Sequence, residues 1–313
     1  MAAPGRGRSP VARRLRVLAF MAPWGVGFTA FFAYPLLATG YFSFTSYDLL
    51  GEPAWVGLRN YAYLFAGDPV VRIAAANTAW LVVVLTVLRV VFALGVASVI
   101  ARLRRGVGLV RTLCYLPALA PPVAATLAFV FLFNPGTGPV NGFLRALGVD
   151  GPLWFNDPAW AKPALTLLTL WGCGELMIIL LAALLDVPAE LHEAAALDGA
   201  GAWRRFRNIT IPSIAPVLLF GVVNSIIFSL QYFTQAVVAG AVASGQAEVV
   251  GSSKVLGFPD NSTLTFPAWL YQQGFHYYNM GYASAMAVLL FAFSLGFTVW
   301  LIRRMRIGVR EAV

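Results

Sequence analysis

Six apolar stretches, at about 17–44, 73–101, 109–133, 163–185, 213–238 and 281–302, divide this chain and leave only short polar segments between them. Each is long enough to cross a bilayer, which takes about 20 residues. Backbone groups in lipid must satisfy one another, so each stretch is expected to form a helix. The expected fold is an all-α polytopic membrane protein with six transmembrane helices. Composition agrees. Hydrophobic residues make up 59% of the 313 and charged residues 11%, about half the charge of a soluble domain. The first stretch follows Arg13-Arg14-Leu15-Arg16, as a signal peptide would. Its apolar run is too long for a signal sequence and reads as an uncleaved first span.

The arginines orient the spans. Arg6, Arg8, Arg13, Arg14 and Arg16 precede the first span. Arg102, Arg104, Arg105 and Arg111 lie between the second and third, Arg204, Arg205 and Arg207 between the fourth and fifth, and Arg303, Arg304, Arg306 and Arg310 after the sixth. The other side holds Arg59, Arg72, Arg145, Lys162 and Lys254. The positive-inside rule then puts both termini in the cytoplasm. The net charge of +9 reflects this placement beside apolar spans, and no nucleic-acid partner is expected. The organisation is a cytoplasmic segment 1–16, a membrane domain 17–302 with a cytoplasmic loop 186–212, and a cytoplasmic tail 303–313. The outer loops are aromatic instead: Trp55 to Tyr63, Trp154 to Pro158 and Trp269 to Tyr278. Aromatic rings favour the membrane–water interface. Asn261-Ser262-Thr263 has the form of a glycosylation sequon, with nothing beside it to indicate a glycosylating compartment.

Several chemistries find no residues here. Cys114 and Cys173 are far apart in sequence and lie within apolar segments; His192 and His276 have no ligand partners at helical spacing. Metal and redox roles are therefore not expected. There is no GxxxxGK[ST] sequence to cradle nucleotide phosphates. Ion coupling needs acids inside the membrane, and within the spans Glu175 is the acid and Arg89 the cation. Any driving force is expected from outside the chain, in the loop 186–212.

That loop reads as two helices around a turn. Asp186 is placed to cap the first, with Pro188 early in it. Glu190 and Glu193 sit where negative charge suits a helix start, three apart and so on one face. Ala194-Ala195-Ala196 favours helix. Asp198-Gly199 makes the turn, since glycine accepts a backbone angle that other residues resist. A second short helix, about 202–208, follows. Further along the reading, Pro117, Pro121 and Pro122 interrupt the third span. They mark either a broken helix beside a pathway or a packing kink.

The run Glu193-Ala-Ala-Ala-Leu-Asp198-Gly199-Ala-Gly-Ala-Trp-Arg204-Arg-Phe206, with Ile209, Ile211 and Pro212, resembles the EAA motif of binding-protein-dependent ABC importer permeases, in its sugar-importer branch. Val56-Gly-Leu-Arg-Asn-Tyr61, Phe133-Asn-Pro-Gly136 with Asn141, and Met280-Gly-Tyr-Ala-Ser-Ala285 are similar to other recurring pieces of that family. The stretch 140–216, including Trp154-Phe-Asn-Asp-Pro158, is similar to the larger membrane subunit of the maltose importer.

The resemblance implies a bacterial plasma-membrane permease that is not itself an enzyme. Its hairpin is a coupling helix pair seated on a cytoplasmic ABC ATPase dimer, which binds the ATP and magnesium. The coupling residues are Glu190, Glu193, Ala194, Ala195, Asp198, Gly199, Arg204 and Phe206. Further implied partners are a second homologous permease, an extracytoplasmic solute-binding protein and membrane lipid. No cofactor is implied in this chain.

Sugars are held by aromatic faces and by amide and hydroxyl hydrogen bonds. The candidate pathway is Gln231, Tyr232, Asn224, Trp171, Glu175 and Ser284. Gln231 and Tyr232 match positions where the maltose subunit presents polar residues. Trp171 and Glu175, four apart, share a helix face. Arg89 and Glu175 either pair with each other or leave one charge facing a cavity. A carbohydrate importer is the leading expectation. An importer of glycerol phosphoesters or an amino acid, an ion-driven carrier and a non-transporting scaffold or sensor are the alternatives.

Overall fold

The computed structural model describes residues 10–103, 105–245 and 256–310. Residues 1–9 and 311–313, Arg104 and Lys254 lie outside the described residues. Three helices are long and apolar enough to cross a membrane: Val17–Phe42, Pro69–Ile100 and Met280–Arg303. Three bent pairs reach the same apolar length only when each is taken as one unit: 107–119 with 122–132 at 99°, Pro158–Trp171 with Gly174–Leu185 at 50°, and Ala202–Ser213 with Ala215–Leu230 at 73°. The only strands among the described residues are Thr45–Ser46 and Ala54–Trp55, paired antiparallel.

The breaks follow from local sequence. Pro121 and Pro122 withdraw amide donors where the third apolar stretch turns. Gly172-Cys173-Gly174 bends the fourth, and Gly174 is needed for its packing: a Cβ there would stand 2.5 Å from the Cys114 carbonyl oxygen. The fifth stretch departs from the expected single span of 213–238. It is Ala215–Leu230, then a break at 231–233, then Thr234–Ala243. Tyr232 sits in this break. It is 1% exposed, and its hydroxyl reaches across to the Thr169 hydroxyl at 3.1 Å and the Leu165 carbonyl at 3.3 Å.

The Pro69–Ile100 helix is the centre of the bundle. Its 32 residues run about 48 Å at 1.5 Å each, more than the roughly 30 Å of the hydrocarbon core. Ala93, Ala97 and Ile100 bury against Leu176, Met177 and Leu180, and Leu81 and Leu85 against Phe129, Leu165 and Tyr232. Small residues at such contacts let backbones approach. The helix begins with Asp68 as cap and Pro69 behind it. The Asp68 carboxylate accepts from the amides of Val70 at 2.9 Å and Val71 at 3.3 Å. Its other oxygen accepts from Trp269 Nε1 and Tyr282 Oη, each at 2.8 Å. One buried carboxylate therefore ties three helices together. Nearby, Asn77 donates to the carbonyls of Asn261 and Leu264, and Lys162 Nζ donates to Asn77 Oδ1 at 3.0 Å.

The aromatic outer segments are mostly structural. Trp154 Nε1 donates to Asn141 Oδ1, Phe155 is buried, Asn156 donates to the Ala243 carbonyl and Asp157 caps the Pro158–Trp171 helix. Asn60 donates to the carbonyls of Ser43 and Thr45, and Tyr61 to the Ser43 hydroxyl. The amide of Gly281 donates to the Tyr47 carbonyl at 3.1 Å. By contrast, no residue of the Val17–Phe42 helix's apolar window is buried within the chain. Its Trp24, Phe28 and Phe32 rings stack in succession and are exposed.

Candidate functional site

Two regions carry the residues singled out above: a cavity inside the bundle and the hairpin between Leu185 and Ala215. The cavity has a volume of about 400 Å³. Pro117, Ala118, Ala120 and Pro122, from the broken third segment, make one wall. The 99° break thus borders a cavity, as expected of a helix interrupted beside a pathway. Trp171 and Glu175 come from either side of the Gly172 bend. Asn224, Phe228, Gln231 and Gln235 come from the fifth segment.

Four of the residues named from sequence, Trp171, Glu175, Asn224 and Gln231, meet in this one cavity. Two do not. Tyr232 lies behind the wall, with its hydroxyl spent on Thr169 and Leu165; it sets the shape of the cavity and presents nothing to it. Ser284 is half-buried on the Met280–Arg310 helix and lines no part of it. Phe228 was missed by the sequence reading. Part of the signal was there: Asn224 and Phe228 are four apart on the Ala215–Leu230 helix and so share a face.

Arg89 is 7% exposed and holds its guanidinium carbon 4.1 Å from the centre of the Phe228 ring. Its Nε and Nη1 have no hydrogen-bond partner among the described residues. The expectation that Arg89 and Glu175 pair is therefore not met at those two nitrogens. Both charges face the same cavity instead.

In the hairpin, the first helix is Ala189–Leu197 and the second arm Ala202–Arg205, which continues helical to Ser213. The turn closes with two bonds. The Gly199 amide donates to the Ala196 carbonyl at 3.0 Å, and the Ala200 amide to the Ala195 carbonyl at 2.9 Å. This is a Schellman ending, which needs a left-handed residue at the position of Gly199. Its φ is 77°. Arg205 Nη1 braces the arms by donating to the His192 carbonyl at 3.4 Å. Glu190, Glu193, Ala194, Asp198 and Arg204 are exposed; Ala195 and Phe206 are half-buried, and Phe206 stacks on Trp203. One expectation is corrected. Asp186 does not cap this helix: it closes the preceding one, and Pro188 occupies the cap position, with no side-chain hydrogen bond.

The sequence profile of the family described as "Binding-protein-dependent transport system inner membrane component" matches residues 89–307. The chain belongs to this family. Residues 89–307 take in the cavity charges, the hairpin and the break at Tyr232. This transport component is 36% identical over 271 residues to "Probable ABC transporter permease protein YesP" of Bacillus subtilis (strain 168), covering 86% of this chain and 83% of that one. It is 33% identical to "Sulfoquinovosyl glycerol transport system permease protein SmoG" of Agrobacterium fabrum, covering 94% and 91%. Its fold matches the crystal structure of a bacterial ABC transporter involved in the import of the acidic polysaccharide alginate. The TM-score is 0.76 at 21% identity, over 95% of this chain and 96% of that chain. The permease is an inner-membrane component built of apolar helices.

Proposed function

We propose that the chain is the permease subunit of an ATP-driven, binding-protein-dependent importer of a carbohydrate, forming half of the translocation pore. The observation that carries this reading is the cavity. Three amides (Asn224, Gln231 and Gln235), an indole (Trp171) and two opposite charges gather in about 400 Å³. That is within the roughly 300–1,000 Å³ of small-molecule sites. Amides supply the directional bonds that sugar hydroxyls require, and the Trp171 ring, 43% exposed, supplies a face to stack on. The name of the SmoG relative, a transporter of a sugar glycoside, supports the same class. Trp171, Glu175, Asn224 and Gln231 are all exposed in the single chain, so the cavity is a half-shell that a second permease completes.

The hairpin is the power input in this reading. The arginine-rich end of the bundle faces the cytoplasm. Glu190, Glu193 and Asp198 stand exposed on the hairpin for the basic residues of an ATPase dimer, which holds the ATP and magnesium. A solute-binding protein delivers the sugar from the other side. Ion coupling would need a relay of membrane acids, and Glu175 is the one acid lining the cavity.

The test is uptake by the whole importer in proteoliposomes, loaded with its binding protein and a panel of sugars. Gln231→Ala should lower uptake at unchanged assembly. Uptake should survive a protonophore and stop without ATP. Uptake that collapses with the proton gradient and ignores ATP would overturn the proposal.

A further inference from the structure

At the arginine-rich end, two cavities adjoin and share four residues. One, of about 420 Å³, is lined by Ser98, Ala101, Arg102, Leu184, His192, Ala202, Arg205, Phe206 and Thr210. The other, of about 490 Å³, is lined by Val91, Leu94, Gly95, Ser98, Arg102, Ala202, Trp203 and Phe206. The first is polar and cationic, with no acid among the described residues that line it. The second is apolar apart from the shared Ser98 and Arg102.

Neither is an ordinary packing gap. In the polar cavity, Arg205 Nε and Ser98 Oγ are buried with no hydrogen-bond partner among the described residues. A buried donor left unpaired costs about 1–3 kcal/mol, so two at one spot call for an acceptor. In the apolar groove, Trp203 is 72% and Val91 61% exposed. The groove follows the end of the Pro69–Ile100 helix. From Arg102 back to Val91 is eleven residues, about 16 Å at 1.5 Å each. It therefore leads from the polar end of the bundle into the hydrocarbon region.

We infer that this paired site holds one anionic phospholipid. Its phosphate lies in the polar cavity beside Arg102, and the Arg205 Nε and the Ser98 hydroxyl, both unpartnered in its wall among the described residues, turn to donate to it. One acyl chain lies along Val91, Leu94 and Gly95, under the stacked rings of Trp203 and Phe206. The charge decides the class of lipid: among the described residues two arginines and no carboxylate line the head cavity, which attracts a net anion more than a zwitterion, whose own cation the arginines repel. Basic pockets between helices at a membrane's cytoplasmic edge recognise such headgroups. The location gives the lipid a role. It would touch the Pro69–Ile100 helix and both arms of the hairpin, through His192 and Ala202, and so set how firmly the hairpin is held to the bundle.

The site is tested by native mass spectrometry of the intact importer in detergent, titrated with phosphatidylglycerol or phosphatidylcholine. Arg102→Gln changes an exposed residue. Gly95→Leu puts a side chain into the groove, where a Cβ meets no atom within 4 Å, so both variants should fold. The wild type should retain phosphatidylglycerol in preference to phosphatidylcholine. Arg102→Gln should weaken that binding about fivefold, the worth of one arginine near an anionic headgroup, and Arg102→Lys should keep most of it. Gly95→Leu should weaken it with every charge still in place. Equal retention of the two lipids by the wild type, or unchanged phosphatidylglycerol binding in both variants, overturns the inference. So does displacement by millimolar inorganic phosphate, which would mark an ion site alone. Loss of the ATPase from Arg102→Gln with lipid binding unchanged would give the cavity to a protein partner and equally overturn it.

Discussion

Replacing Gly199 by asparagine, alanine and valine separates a backbone requirement from a docking contact at the tip of the hairpin. Gly199 has φ 77°, and a Cβ built on it meets no atom within 4 Å. Within the chain, the penalty of a side chain is therefore conformational. An L-residue forced into the left-handed region costs about 1–2 kcal/mol, and asparagine less because it tolerates that region. A β-branched residue costs more, to about 3 kcal/mol. The two Schellman bonds, at 3.0 and 2.9 Å, hold the turn and are lost when it opens. Opening the turn by 1 kcal/mol shifts the closed population about fivefold, and 3 kcal/mol more than a hundredfold. If the hairpin delivers the ATPase's motion, substrate-stimulated ATP hydrolysis and uptake in proteoliposomes should fall in that order: asparagine near wild type, alanine reduced severalfold, valine almost abolished. Wild-type coupling in the valine variant would refute the hairpin's role. An asparagine variant as damaged as the valine one would refute the conformational argument, because a volume limit set by a partner surface would then decide.

Tyr232→Phe removes a hydroxyl that contacts Thr169 and Leu165 and lines no cavity. It should lower the thermal stability of the purified subunit by about 1 kcal/mol while leaving the sugar concentration for half-maximal uptake unchanged. Asn224→Ala, which does line the cavity, should do the reverse, raising that concentration at unaltered stability. Asp68→Asn keeps the helix cap but turns an amide toward the Trp269 indole, itself a donor only. About 1–3 kcal/mol should be lost, and Asp68→Asn and Trp269→Phe should couple non-additively in a double-mutant cycle, as residues in one network do.

The bundle was legible because lipid narrows the choice of structure to a single period. Apolar length alone placed the helices near residues 17, 73, 109, 163 and 281. The turn at Gly199 was legible because a positive φ has few amino-acid solutions. What hydropathy hid were the departures from straight helix. Gln231-Tyr232-Phe233 reads as the interior of an apolar run, and only the structure shows the helix breaking there, with Tyr232 bonded to Thr169. The aromatic segments read from sequence as interface anchors. The side chains of Trp154 to Asp157 and Asn60-Tyr61 go to caps, carbonyls and the core. A motif that must close a loop at the membrane edge is as constrained as one that must bind, because every buried backbone group there needs a partner.

Arg89 brings these threads together. A charge buried mid-helix is expensive in a membrane, and the simplest relief would be a salt bridge with Glu175. The chain instead lays the guanidinium on Phe228 and leaves Nε and Nη1 buried without a hydrogen-bond partner among the described residues. An aromatic face compensates a buried cation only in part, so under the proposed reading Arg89 gains acceptors when a sugar enters the cavity and the side chain turns toward it. Under the proposed carbohydrate reading, sugar hydroxyls would bond to Arg89 and Glu175 together. The two groups then work as opposite poles of one polar slot, which a paired salt bridge would have closed. Arg89→Gln should therefore reduce uptake of a neutral sugar even though it removes a buried charge, whereas a purely structural Arg89 would show its loss in assembly of the subunit first.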